Sequence, residues 1–504
     1  MAEGQGSRAV RLTGWLVGGA IVGKILGFVR EIALARLLGT SFVADSFRGA
    51  ITAVLLPLAP LQNDVMPSVL IPLHRQWAEE GRAAGLFNSL MAVLGCMAVV
   101  LAVTVWCLAD VWINFLVPGF SPEAHLLTVR CVHVMSLAMP ASVLCGGLMC
   151  IEISIGRSRV ASLRSSVQNV AVIIGILIMA ATGQPLAVAW AFVFSFNSVV
   201  VYGGYKLWRE GEIVFSLISF SHAMAAFRMF LQRFRPLAAL PFFEQGSLLV
   251  ERLMASDVGV GSLASLEYAR TLSDTLSWFI AQPLGFVLLT GGEASARRID
   301  SVSRAVLGLA IPLSLYFAIF APDMAHVVFE RGAFGAHAVA MTAGGLRGIA
   351  AGLWAATLGW ILLRMLNAAG RNSAVGWIVS ASYAGNILVN LVVVRYAGVF
   401  GLGLGESARG LILLAGSAVL LGCARGLLRV LAEMLGFAVC LALLCFAVRS
   451  AIDVSILRVI AGGAVTGVTI LAWYASRVPE SREAVTDGIS RLAAARLARR
   501  GETR

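Results

Sequence analysis

The sequence predicts an all-α integral membrane protein of about 14 transmembrane helices, arranged as two six-helix lobes in parallel repeat plus a terminal helix pair. Three observations carry that expectation. Hydrophobic residues make up 59% of the 504-residue chain and charged residues only 13%, against roughly a quarter charged in soluble domains. Apolar segments of about 20 residues, the length that crosses a bilayer, recur from near residue 12 to near residue 476. The basic residues concentrate in every second connection between those segments.

Taken in order, the spans centre near residues 25, 52, 97, 140, 171, 196, 245, 280, 313, 354, 384, 411, 438 and 465, a count of about 14 by hydropathy and length. The opening MAEGQGSRAVR is short and basic and has no small-residue cleavage site before the first span, so that span is expected to be retained. Pro57 and Pro60 break the second span, which continues past Asp64 and Pro67 and so reads as kinked or discontinuous.

Loop charges test this order. Arg75 and Arg82, then Arg157, Arg159 and Arg164, then Lys206, Arg209, Arg228, Arg233 and Arg235 fall in alternate connections, followed by Arg297, Arg298 and Arg304, by Arg364 and Arg371, and by Arg425 and Arg429. The positive-inside bias therefore puts both termini in the cytoplasm. The longest cytoplasmic connection divides the chain into an N-terminal lobe (1–206), a connection (207–236), a C-terminal lobe (237–426), a terminal helix pair (427–477) and a basic tail (478–504). Six spans are an even number, so the second lobe enters from the same side as the first, and a substrate cavity is expected between the halves. Ala35-Arg36-Leu37-Leu38 resembles Glu251-Arg252-Leu253-Met254 at the start of the second lobe. The tail, with SRLAAARLARR, reads either as a basic amphipathic helix on the cytoplasmic leaflet or as a solvated segment.

The net charge of +12 is explained by topology rather than by nucleic acid, because the cations sit in short loops between apolar spans. The eight cysteines lie in or beside apolar segments with no CxxC and no Cys/His ligand spacing, and read as small core hydrophobes. No HExxH, Walker or Ser/His/Asp pattern is present, and no cofactor is expected.

Ionisable residues at membrane depth are costly and mark function. Lys24, Arg30, Glu31 and Arg36 belong to the first span, and Asp45 and Arg48 open the second. Lys24 and Glu31 are seven apart and share a helix face, while Arg36, beside Gly39, is the candidate for snorkelling. The second lobe adds Arg252 and Arg270 with Glu251, Glu267 and Asp274, and Arg347 in the tenth span. A group richer in cations than anions suits a water-filled cavity that takes an anion, and the planar guanidinium fork suits phosphate. Lys24, Arg30, Asp45, Arg48, Arg252 and Arg270 are the candidate substrate-binding residues; Arg30 with Asp45 and Arg252 with Glu267 are alternatively ion pairs that fix packing. Asn386 and Asn390, one turn apart, are a candidate cation site together with Glu251, or an interhelical hydrogen-bonding pair.

At these residues the sequence resembles the MurJ/MviN family, lipid II flippases within the multidrug/oligosaccharidyl-lipid/polysaccharide exporter superfamily. GKILGFVRE (23–31), ARLLG (35–39) and ADSF (44–47) resemble the family's first two helices in order and spacing. VPGF (117–120), FERGAF (329–334), LNAAGRNSAV (366–375) and GVFGLGLG (398–405) recur where the family has similar segments. The resemblance implies two six-helix lobes with a terminal pair, a central cationic cavity, and alternating access for an undecaprenyl-pyrophosphate-linked saccharide in the bacterial inner membrane. By position, Arg30 and Asp45 match family cavity residues, and Lys24 stands where the family has arginine. Two departures leave both lipid II and an exopolysaccharide repeat unit as candidate cargo. LLPLAPLQND (55–64) lacks the family's second-helix arginine, and Tyr268-Ala269-Arg270-Thr271 replaces Tyr-Ala-Asp-Arg.

The functional expectation is thus a flippase rather than an enzyme, with a lipid-linked saccharide and membrane lipids as partners and cell-envelope polysaccharide synthases as candidate partners. A cation-coupled exporter of small amphiphiles is the alternative, and it calls for a cavity dominated by acids. A membrane-bound ligase or polymerase calls for a large external catalytic loop that the spacing of the spans does not leave.

Overall fold

The computed structural model describes residues 2–61, 65–214, 219–235, 239–274 and 296–477. Nearly all of them are helical, because the bilayer core has no water to satisfy exposed backbone groups. The chain forms two compact units, Met1–Thr271 with Phe329–Ala338, and Leu272–Val328 with Val339–Arg504.

The first unit contains α1 (Ala2–Leu38), α2 (Phe42–Leu55), a 3₁₀ segment (Leu56–Leu61), α3 (Val65–Glu79), α4 (Ala83–Cys107), α5 (Ala109–Leu116) and α6 (Pro122–Met135). It continues with α7 (Met139–Ser154), α8 (Arg159–Thr182), α9 (Leu186–Arg209), α10 (Phe220–Phe234) and α11 (Ala239–Val258); the helical stretch 262–274 is α12. The second span is discontinuous as expected: α2 stops before Pro57 and α3 begins before Pro67. The 3₁₀ turns between them spare the helix the clash and missing donor of a proline interior.

α1 lies against α8 through Gly19, Gly23 and Gly27, which recur every four residues on one face. A β-carbon at Gly19 would come within 2.7 Å of Ser162, and one at Gly23 within 2.6 Å of Ser165. Close backbone approach of small residues is what holds helices together in lipid, where the tails are as apolar as the side chains.

The second unit holds α13 (Ala296–Phe329), α14 (Ala336–Ala368), α15 (Asn372–Leu420), α16 (Ala424–Ala451) and α17 (Ser455–Arg477), apart from the short segment assigned to the first unit. Its core packs Val302, Leu307, Leu358, Leu362, Val430 and Trp473. Trp473 lies over Gly308, stacks edge-on against Phe437 at 5.2 Å and donates its indole N–H to the Arg304 carbonyl at 2.9 Å, which seats the terminal helix pair on α13.

Among the described residues ten helices are long and apolar enough to cross a membrane, fewer than the 14 expected. The expected spans near 25 and 245 fall in α1 and α11, which are helical but not among the ten, and the other two missing spans have plain causes. The span expected near residue 280 lies outside the described residues, as does the tail 478–504. α15 is two spans joined at Gly398, whose φ of 54° and ψ of −134° interrupt the helix. A β-carbon at Gly401 would lie 3.0 Å from the Val394 α-carbon, whereas seven residues of continuous helix separate by about 10 Å.

Candidate functional site

Three short motifs that stand far apart in sequence meet at one end of α1. Gly39, at φ +58°, ends α1 so close to the Ala333 carbonyl that no side chain fits, and Gly332, at φ +65°, sits equally close to the Arg36 carbonyl. The Ala333 amide donates to that Arg36 carbonyl at 2.9 Å. Phe329 and Phe334 close around the ring of Tyr268, 5.1 and 5.4 Å away, and the Tyr268 hydroxyl donates to the Gly39 carbonyl at 3.1 Å. ARLLG and FERGAF are therefore two halves of one joint that holds α1 against α12.

Asp45 opens α2 and is buried. Its carboxylate accepts the backbone N–H of Gly261 at 2.5 Å and of Ala264 at 2.8 Å, so it caps the N-terminus of α12 from a distant part of the chain. Gly261, at φ +86°, permits the turn that presents those amides. Asp45 thus does not form the ion pair with Arg30 considered from sequence; Arg30 Nη2 meets Glu31 at 2.6 Å and Nη1 donates to the Asn169 side chain at 2.9 Å.

On this joint stand four arginines and three glutamates. Glu31, buried on α1, takes Arg30 on one oxygen and Arg48 on the other, both at 2.6 Å. The Arg48 guanidinium also lies over the Tyr268 ring at 4.6 Å. Arg252 on α11 pairs with Glu267 on α12 at 2.6 Å, as the packing alternative anticipated. Arg270 binds Glu267 at 3.2 Å, one turn away, and also Glu251. Arg252 is buried and Arg48 nearly so, at 8% and 10% side-chain exposure, while Arg30 at 28% and Arg270 at 20% form the more accessible edge.

The guanidinium groups keep donors in reserve. Arg252 Nε and Nη1 and Arg30 Nε are buried without a hydrogen-bond partner. Orphaned donors of a buried cation are costly, so such an arrangement is poised for an added acceptor. Lys24 lies on an exposed part of α1, and Arg36 is likewise exposed.

Asn169 was not singled out from sequence. It is buried on α8, accepts from Arg30 and donates to the Gly23 carbonyl at 2.8 Å, so one amide both fastens α1 and aims Arg30. The available signal was an uncharged polar residue within an apolar span, which is common enough to pass unnoticed.

The candidate cation residues are engaged locally and stand in different units. Glu251 pairs with Arg270 in the first unit, while in the second Asn390 Nδ2 donates to Asn386 Oδ1 at 2.9 Å. Among the described residues no group of three or more His, Cys, Asp or Glu could hold a metal ion.

Residues 34–472 match the family described as Lipid II flippase MurJ. The chain is 27% identical over 355 residues to a "Probable lipid II flippase MurJ" of Rhizobium tropici, covering 64% of this chain and 64% of that protein, just under two thirds of its length. It is 22% identical over 368 residues to a protein of the same description in Buchnera aphidicola subsp. Acyrthosiphon pisum, covering 69% and 70%. Among solved structures, lipid II flippase MurJ in an inward closed conformation superposes with a TM-score of 0.78 at 17% identity, covering 91% of this chain and 98% of that one. An outward-facing MATE family transporter of the MOP superfamily gives 0.56 at 15% identity, covering 84% and 96%. At these identities the structural likeness is one of fold.

Proposed function

This chain belongs to the lipid II flippase MurJ family, and from that membership we propose that it carries a polyprenyl-pyrophosphate-linked saccharide, lipid II or a related repeat unit, across the bacterial inner membrane by alternating access. The observation that supports this most is the buried Arg252, two of whose nitrogens make no hydrogen bond, Nη1 lying 4.0 Å from Glu251, in a network with Arg48 and Arg270. A pyrophosphate presents several strong acceptors, and bidentate guanidinium contacts match its geometry.

In this reading Glu31, Glu251 and Glu267 hold the arginines ready and neutralised while no anion is present. An arriving pyrophosphate meets Arg30 and Arg270 first, since these are the accessible ones, and exchanges with the carboxylates for their donors. Release is then aided by the same carboxylates, which reclaim the guanidinium groups. Asp45 acts by capping α12 and so positioning Glu267 and Arg270, and Lys24 adds a point charge on the helix that carries Arg30. Transport of this kind needs no bond made or broken.

The lobe division 1–206 and 237–426, with a cytoplasmic connection, a terminal pair and cytoplasmic ends, belongs to the same proposal, as does docking of a polysaccharide synthase. The exporter alternative finds less support, because it calls for a site dominated by carboxylates and four arginines stand here.

The test is translocation of a labelled polyprenyl-pyrophosphate saccharide in proteoliposomes. Arg30→Ala and Lys24→Ala should abolish translocation while the protein stays in the membrane; full activity in both would overturn the phosphate site. Arg270→Lys should keep partial activity, as charge survives and the fork is lost. If Arg270→Ala is rescued by adding Glu267→Ala, Arg270 is a packing residue only. Complementation of a strain depleted of its lipid II flippase separates the cargoes: rescue points to lipid II, and failure at good expression to another repeat unit.

A further inference from the structure

Arg347, singled out from sequence as a charge in the tenth span, lies in the second unit and takes no part in the network above. α13 contains Pro322, which has no N–H, so the Ala318 carbonyl four residues earlier loses its helical donor. Arg347 Nε supplies one at 3.3 Å, and Arg449 Nη1 donates to the next carbonyl, Ile319, at 3.1 Å. Asp323, one residue past the proline and buried, draws Arg458 Nη1 to 3.2 Å and Arg449 Nε to 3.7 Å. Arg458 also donates through Nε to the Ile452 carbonyl, closing the connection between α16 and α17.

One turn of α13 therefore holds three guanidinium groups, Arg449 and Arg458 on the buried Asp323 carboxylate and Arg347 on the Ala318 carbonyl five residues before it. The exposed Asp453 in the adjacent connection leaves the group still positive, and it forms no ion pair with the three among the described residues. Each arginine uses only part of its fork for the protein. Both Nη atoms of Arg347, Nη2 of Arg449 and Nη2 of Arg458 have no hydrogen-bond partner among the described residues. Arg449 lies in the last turn of α16, and Arg458 in the first turn of α17, where spanning helices meet lipid headgroups. The flanks of these two helices are exposed and apolar at Leu443, Phe446, Ile456 and Ile460.

We propose that Arg347, Arg449 and Arg458 form a binding site for the phosphodiester of an anionic membrane phospholipid, whose acyl chains lie along α16 and α17. Spare guanidinium donors from three arginines docked on one stretch of α13 suit a tetrahedral oxyanion. The apolar flanks select one that carries acyl chains over free phosphate. The site shares no residue with the proposed transport network, and its test needs no transport.

The full-length protein in neutral detergent is titrated with phosphatidylglycerol or with phosphatidylcholine of the same chains, and bound lipid is counted by native mass spectrometry. The wild type should bind the first phosphatidylglycerol about tenfold more tightly, the scale of one charge-assisted contact. Arg347→Gln should bring that preference to within about threefold, and so should Arg449→Gln, which leaves the Ala318 carbonyl its donor and guards against a folding defect in the first variant. Arg425→Gln, the same charge change at an exposed residue outside the group, should leave it intact. Excess inorganic phosphate should not displace the lipid. Equal binding of the two lipids by the wild type, an undiminished preference in both cluster variants, or displacement by inorganic phosphate would each overturn the assignment.

Discussion

Two arginine clusters, one in each unit, handle charge in opposite ways. In the first, Arg30, Arg48, Arg252 and Arg270 are set against Glu31, Glu251 and Glu267 at side-chain contacts of 2.6 to 3.2 Å and closer, and most of the network is buried. In the second, Arg449 and Arg458 share a single buried acid, Asp323, and these two and Arg347 each donate to a backbone carbonyl. The difference follows from position. Inside a packed unit an uncompensated charge is expensive, so anions and cations must come nearly in balance. Arg449 and Arg458 stand at helix ends and Arg347 is exposed, and there a surplus cation can reach water or a headgroup, so it needs no acid of its own.

The sharpest way to break this comparison is to unbalance the first unit. Glu31→Ala strands Arg30 and Arg48 together, and removing one partner of a buried pair costs about 3–5 kcal/mol. The detergent-solubilised variant should therefore show a large fall in melting temperature. The double variant Glu31→Ala with Arg48→Met should recover part of it. A variant as stable as the wild type would mean that the network is solvated rather than buried.

Asp45 offers a middle-sized effect that separates capping from charge. Asp45→Ala should destabilise by about 0.5–2 kcal/mol, the range for losing a helix cap. Asp45→Asn should do less harm, because an amide oxygen still accepts from Gly261 or Ala264. If thermal unfolding finds Asn as damaging as Ala, the negative charge matters for more than the cap.

The smallest effect belongs to an exposed counterpart outside the spans. Glu210, after α9, bonds Arg159 through both oxygens at 2.9 Å and also meets Arg157. The hydrogen bonds from Arg159 hold its carboxyl below the usual carboxylate range. A carboxyl whose folded value is depressed contributes stability above its unfolded value, and that contribution disappears as pH falls through the folded one. Glu210→Gln should therefore lower stability at neutral pH by less than about 1 kcal/mol, with the difference fading in acid and in high salt. Melting curves of the pair across pH decide it, and a difference that persists in strong acid would show that the carboxylate charge is not the source.

Much of the architecture was legible from the chain alone. The apolar segments, the proline break after α2 and the family motifs needed only composition, length and local order, since the bilayer admits few backbone solutions. The Arg252 and Glu267 pairing could be named from the sequence as an option. The choice between that option and a free cationic site could not, because charge on a helix says nothing about what the neighbouring helix brings.

Sequence by itself determined that this is a helical membrane protein of the lipid II flippase MurJ kind, because hydropathy, loop charge and short motifs are local properties. Tertiary structure alone decided how its charges are used. It sent Asp45 to the amides of Gly261 and Ala264 rather than to Arg30, and gave Arg30 instead to Glu31 and Asn169. It matched Gly39 to Gly332 across about 290 residues of chain, and brought Arg347 to a carbonyl left open by Pro322. Each of these depends on which backbone groups lie within hydrogen-bonding distance after packing, and such distances are set by helices that are remote in sequence.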